Sequence, residues 1–182
     1  MNRILLSAMV SSALLSGGAI AADSGTITFT GAITDSTCDV SVNGGGASGT
    51  VTLPTVSAAS LSTMGQTTGT TRFTLDLSNC AGGTLNTAKA YFQNGSSVSS
   101  AGRLINQAST SPATGVTLQL LDGQTGNAIN VGDSAQNTGG FVDITGAVSG
   151  TVTLPYSVEY YAETASAAGA VSSMVTYNLN YQ

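Results

Sequence analysis

The sequence predicts an all-β fold, a sandwich of short strands, on three observations. Apolar residues alternate with polar ones at period two in nearly every ordered stretch. Turns rich in glycine, serine and asparagine separate these stretches, and no segment carries the periodicity of an amphipathic helix. Many short half-buried strands with frequent turns form two packed sheets more readily than any helical arrangement.

The first segment, residues 1–21, reads as a secretory signal. Arg3 gives a positive start, Ile4 to Leu15 an apolar stretch, and Ala19-Ile20-Ala21 a small-residue cleavage site. The stretch is too short to span a membrane, and a core helix there is the weaker alternative. A mature chain starting at Ala22 keeps 161 residues, enough for one domain with a core. Next comes Thr26-Ile27-Thr28-Phe29-Thr30-Gly31-Ala32-Ile33-Thr34, in which Ile27, Phe29, Gly31 and Ile33 share one face of an extended chain. Two readings stand at this point. The segment is an ordinary first strand with a bulge at Gly31, or its apolar face belongs in another subunit.

Strands are then expected at Cys38–Val42, Phe73–Leu77, Val116–Leu120, Val152–Tyr160 and Val175–Tyr181. Shorter ones are expected at Ala88–Gln93, Ile129–Val131 and Phe141–Ile144, with loops at Ser57–Gly69 and Ser96–Gly102. Pro155 lies inside the fourth strand and calls for a bulge, a bend or an edge position, because proline has no N–H for a ladder.

The composition excludes several functions. Without the signal, three basic residues (Arg72, Lys89, Arg103) stand against nine acidic ones, a net charge of −6. That surface offers no cationic footprint for nucleic acid or anionic lipid. The chain has no histidine, the usual general base of serine and cysteine hydrolases. No catalytic, cofactor or metal site is expected: two cysteines without histidine make a poor zinc site. Gly44 to Gly49 (GGGASG) fits a dinucleotide-loop pattern, but Thr50–Leu53 after it reads as strand where a helix is needed. Asp35 and Asp39 read as solvated surface acids, and Asn94-Gly95-Ser96 as a turn before a glycosylation site. Cys38 and Cys80 in a secreted chain are expected to form one disulfide. In the chain-entropy account that bond contributes about 4 kcal/mol.

The two ends of the chain carry a resemblance. Gly169 is the fourteenth residue counted back from Gln182, and Tyr181 is penultimate. Val171, Val175, Tyr177, Leu179 and Tyr181 alternate between them, interrupted by Ser173. With the pattern at Ile27, Phe29, Gly31 and Ile33 and the positions of Cys38 and Cys80, the mature chain resembles the chaperone–usher pilins, in particular the type 1 fimbrial major-subunit family. The resemblance implies an incomplete Ig-like β-sandwich, residues 35–182, that lacks its seventh strand. Residues 22–34 would be a donor extension, and the strand with Gly169, Val171, Val175, Tyr177, Leu179 and Tyr181 the edge of an acceptor groove. The implied partners are further pilin subunits, a periplasmic chaperone and an outer-membrane usher, and the implied location is an extracellular fimbrium. The resemblance implies no cofactor, no nucleic acid and no membrane insertion. A self-contained secreted Ig-like binding module is the alternative; missing tryptophan and few aromatics argue against a sugar-stacking site. A secreted hydrolase ranks below both.

Overall fold

The computed structural model describes residues 26–82 and 86–182. The signal-peptide expectation for residues 1–21 lies outside the described residues. The chain divides into two units, Met1–Ile33 and Thr34–Gln182. In the first, residues 26–33 carry no secondary structure.

The second unit contains nine strands among its described residues, and no α-helix. They are β1 (Thr37–Val42), β2 (Thr67–Ala81), β3 (Thr87–Phe92), β4 (Leu104–Ile105), β5 (Thr114–Asp122), β6 (Ala128–Ile129), β7 (Val142–Asp143), β8 (Thr151–Ala167) and β9 (Tyr177–Tyr181). The larger sheet runs β1-β2-β8-β5-β4 with β6 also on β5, and the smaller runs β7-β3-β9. Every strand pairing is antiparallel, so one face of each sheet turns to a shared core.

All five long expected strands are present, with boundaries set by their partners. The β2 strand begins at Thr67, inside the expected loop, because Thr67 and Thr68 pair with Tyr161 and Tyr160 of the long β8. Residues 50–53 are not a strand, contrary to the reading from their alternation. They lack a ladder partner, although Val51 and Leu53 still pack half-buried against the core. Pro155 sits in the central strand β8, opposite Thr74 of β2. On its other side β5 has just turned away at Asp122, and the Pro155 carbonyl accepts from Gly123 N at 3.0 Å. The missing N–H therefore falls where the ladder has ended, which is an edge position within a central strand.

The core lies between the sheets. Phe73, Leu75 and Leu77 of β2, Leu118 and Leu120 of β5 and Leu154, Tyr156 and Val158 of β8 face Ala88, Ala90 and Phe92 of β3. Tyr156 joins the layers: its ring stacks on Phe73 at 5.7 Å and meets Phe92 edge-on at 5.0 Å. Burial pushes its hydroxyl pKa up to about 12, so it stays neutral and accepts from Ala90 N at 3.1 Å.

Candidate functional site: an open sheet edge

One edge of the smaller sheet is sealed and the other is not. On β3, Thr87, Lys89 and Tyr91 face β9, opposite Gln182, Asn180 and Asn178. The even-numbered backbone groups of β3 point the opposite way. Side chains meet them: Tyr156 Oη takes Ala90 N, Gln136 Oε1 takes Phe92 N, and Gln136 Nε2 donates to Phe92 O. β7 covers that side of β3 only at Thr87 and Ala88, and beyond it the amides of Ala90 and Phe92 are satisfied by side chains.

The chain from 170 to 182 has the reverse arrangement. Most of its even-numbered groups are used, by β3 and Gln93 at 176–182, by Gln107 N and Asn106 Oδ1 at Ser172, and by Ser111 and Ala113 at Ala170. Its odd-numbered groups point outward, and from Val171 to Tyr181 none has a hydrogen-bond partner among the described residues. The same odd residues turn half-buried side chains to the core, while residues 172, 174, 176 and 178 are exposed. An apolar strip with an unmatched backbone row is thus built into one extended segment.

Only residues 177–181 of this segment are strand, shorter than the expected Val175–Tyr181. Val171 and Val175 continue it in extended form, packed against the core. Gly169 sits apart from the strip. A Cβ there would lie 2.3 Å from Ala113 N and 2.6 Å from Ser111 O, so glycine is required for close approach to the 111–113 loop.

Across from the open edge lies a wall that the sequence reading did not assign to the site. The Tyr177 hydroxyl donates to Ala47 O at 2.7 Å, in the glycine-rich loop, and Tyr181 takes a backbone hydrogen bond at Cys38. Burial raises both tyrosine pKa values, and the Cys38 contact offsets part of the shift at Tyr181. Val40, Val42, Val51 and Leu53 pack half-buried on this side. Their alternation was visible, but only as strand pattern. Cys38 and Cys80 are bonded, with Cα atoms 4.1 Å apart, and tie β1 to the end of β2.

The candidate donor residues lie in residues 26–33. Ile27 is 77 %, Phe29 89 % and Ile33 104 % exposed, and nothing lies within 4 Å of a Cβ built on Gly31. Elsewhere, a cavity of about 230 Å³ sits beside the disulfide and a polar one of about 330 Å³ lies between Asn94 and Asp133. Among the described residues no three acidic, cysteine or histidine side chains are placed to hold a metal. Asp39 accepts from Asn79 Nδ2 at 2.9 Å on the surface, and Asn94 Oδ1 accepts from Gly95 N at 2.9 Å in a turn.

Residues 53–182 match the family described as FimA, type-1 fimbrial protein, A. The chain belongs to the type-1 fimbrial protein family. Similar members include the major fimbrial subunit SMF-1 of Stenotrophomonas maltophilia, 41 % identical over 86 % of this chain and 92 % of that protein. The F17 fimbrial protein of Escherichia coli is 38 % identical over 93 % and 94 %. In fold the chain is similar to a subunit of a chaperone–usher pilus studied for rod uncoiling, with TM-score 0.60, 20 % identity, and 90 % and 99 % coverage. The P pilus rod subunit PapA matches with TM-score 0.59 and 19 % identity over 80 % and 99 %. The fold is the incomplete Ig-like sandwich of pilins, and the chain is a structural subunit of a surface fimbria, in a family of structural proteins and not of enzymes.

Proposed function

We propose that this fimbrial subunit polymerises head-to-tail by strand donation. Residues 22–34 of one copy lie along the open 171–181 edge of the next. The observation that carries the reading is the odd-numbered row itself, apolar toward the core and unmatched along the backbone. A donor strand supplies both missing halves, main-chain bonds and side chains, in the manner of β-augmentation, for which pilins are a standard example. Burying Ile27, Phe29 and Ile33 contributes about 5–9 kcal/mol before ordering costs. The contact is heterologous and does not close, so it builds fibres instead of rings. An edge of this kind invites aggregation while it is free. A periplasmic chaperone strand covers it first, and exchange for the next subunit's segment follows at an outer-membrane usher.

The test is a gel combined with a deletion. Filaments of the full chain should run as a ladder in SDS without boiling and collapse to monomer on heating. A variant lacking residues 23–34 should fold with its chaperone and yield no ladder. A normal ladder from that variant sinks the donor assignment.

A further inference from the structure

We propose that Asn94 is a site of spontaneous covalent modification, its side-chain amide converting through a cyclic imide to aspartate and isoaspartate, while the fold protects Asn43. The inference is independent of strand donation. An asparagine followed by glycine can react with its own backbone, the next residue's nitrogen attacking the side-chain carbonyl carbon. Glycine permits the approach because it has no Cβ in the way. The sequence has two such pairs, Asn43-Gly44 and Asn94-Gly95, and nothing in the local residues ranks one above the other.

The structure separates them. Asn43 (φ +50) and Gly44 (φ +73) form the tight turn after β1, closed by Gly45 N donating to Val42 O at 3.0 Å. Asn43 is also strapped to β2: its N donates to Thr74 O at 3.0 Å, and its Oδ1 accepts from Thr74 N at 2.8 Å. Reaction with Gly44 N requires breaking that side-chain bond. Asn94 and Gly95 are exposed and lie beyond the end of β3. Gly95 N has no main-chain acceptor among the described residues, and it donates instead to Asn94 Oδ1 at 2.9 Å. That oxygen is bonded to the carbon under attack, so nucleophile and electrophile are neighbours in the resting geometry. In the reaction the bond from Gly95 N to Asn94 Cγ forms, the Cγ–Nδ2 bond breaks, and ammonia leaves with the Gly95 amide proton. Water then opens the ring. Cleavage at Cγ gives aspartate in an ordinary chain, and cleavage at the main-chain carbonyl gives isoaspartate, with the chain running through Cγ. Either product sets a new carboxylate beside the polar cavity that Asn94 shares with Asp133. Isoaspartate also lengthens the main chain next to Gln93, whose N donates to Thr176 O at 2.8 Å in the open segment.

The few basic residues let trypsin isolate the two pairs. Residues 90–103, between Lys89 and Arg103, hold Asn94 as their sole asparagine, and residues 4–72 hold Asn43 alone. The full-length folded protein is aged in neutral to mildly alkaline buffer, then unfolded, reduced and digested, with an unaged sample as baseline. Mass spectrometry should show the amide-to-acid mass increase in 90–103 at least tenfold faster than in the peptide ending at Arg72. The converted peptide should resolve into two products of equal mass, aspartate and isoaspartate. In chain aged unfolded and reduced, the two asparagines should convert within about threefold of each other, because neither local structure persists. Conversion of Asn43 at the rate of Asn94 in the folded protein, or no conversion at Asn94, overturns the assignment. Aspartate without isoaspartate overturns the cyclic route. Gly95 has no atom within 4 Å of an added Cβ and no left-handed φ, so Gly95→Ala should leave the melting temperature unchanged. Its Cβ should slow conversion of Asn94 at least tenfold. An unchanged rate in that variant removes attack by the nitrogen of residue 95 as the mechanism.

Discussion

Gln136 shows how a single side chain can stand in for a strand. It lies buried beside β3, where its Oε1 accepts from Phe92 N at 3.0 Å and its Nε2 donates to Phe92 O at 3.0 Å and Asn130 O at 3.1 Å. A primary amide is the side chain that can donate and accept at once across this short gap. Gln136→Ala strips the partner from Phe92 N in a water-poor site, while Phe92 O keeps the Gly132 amide at 3.0 Å. The expected loss is about 1–3 kcal/mol, read as a fall of roughly 3–10 °C in melting temperature. Gln136→Glu keeps an acceptor for Phe92 N but loses the donor to Phe92 O, and should land between the two. Melts of the three proteins within a degree of one another would contradict this role. Ser173 is the opposite case: a shielded hydroxyl with no hydrogen-bond partner among the described residues.

At the scale of elements, β8 illustrates what alternation reveals and where it stops. Val152, Leu154, Tyr156, Val158 and Tyr160 announce a strand, and the structure extends it to Ala167. The extension carries Glu163, Ser166 and alanines, which resemble loop until their partners are known. Arg103 binds Glu163 through two bonds, at 2.7 and 3.0 Å, and Thr117 Oγ1 donates to the same carboxylate at 2.9 Å. The guanidinium also lies 4.0 Å from the centre of the Tyr161 ring. These contacts brace β8 against β5 and the entry to β4, an element whose two residues are too short to show any period. The site divides in the same way. The strip ending at Tyr181 was legible from its alternation, whereas the wall at Ala47, Val51 and Leu53 was not. Its function depends on tyrosine contacts across the groove, which no local pattern encodes. The Arg103 hydrogen bond, followed by that of Thr117, holds the Glu163 pKa below the usual carboxylate value against an opposing desolvation effect. A depressed folded-state pKa gives stability that is fully present above the unfolded value, about 4.3, and lost as pH falls through the folded one. Glu163→Gln should therefore cost about 1 kcal/mol at neutral pH, since the pair is partly exposed. The gap between variant and parent in urea melts should be flat above about pH 5 and shrink below about pH 4. A gap that widens in acid would reverse the assignment. Asp143, also held low by Thr145, contributes equally to both proteins and cancels.

For the whole molecule, the two sheets are unequal. The larger joins β2, β8 and β5 through long ladders with one register shift each, while the smaller has three strands and an unmatched edge along β9 among the described residues. Half of its inward face, from Val171 to Tyr181, stays partly wet. Such a subunit gains stability from whatever binds that edge in the folded state and not in the unfolded one. A synthetic peptide of residues 22–34, added to the subunit lacking residues 23–34, should therefore raise the melting temperature as its concentration rises. At a hundredfold excess over its dissociation constant the gain is about 2.7 kcal/mol, or roughly 5–10 °C for a domain of this size. A peptide with Phe29→Thr and Ile33→Thr keeps the backbone donors but removes most of the apolar burial, and should need a concentration at least a hundredfold higher. A peptide with Gly31→Leu keeps the apolar residues but adds a side chain that meets the acceptor floor, and should also fail. If the unmodified peptide leaves the melt unchanged at any concentration, the open edge is not completed by this segment. If all three stabilise equally, the backbone alone carries the association, and side-chain alignment in the groove plays no part.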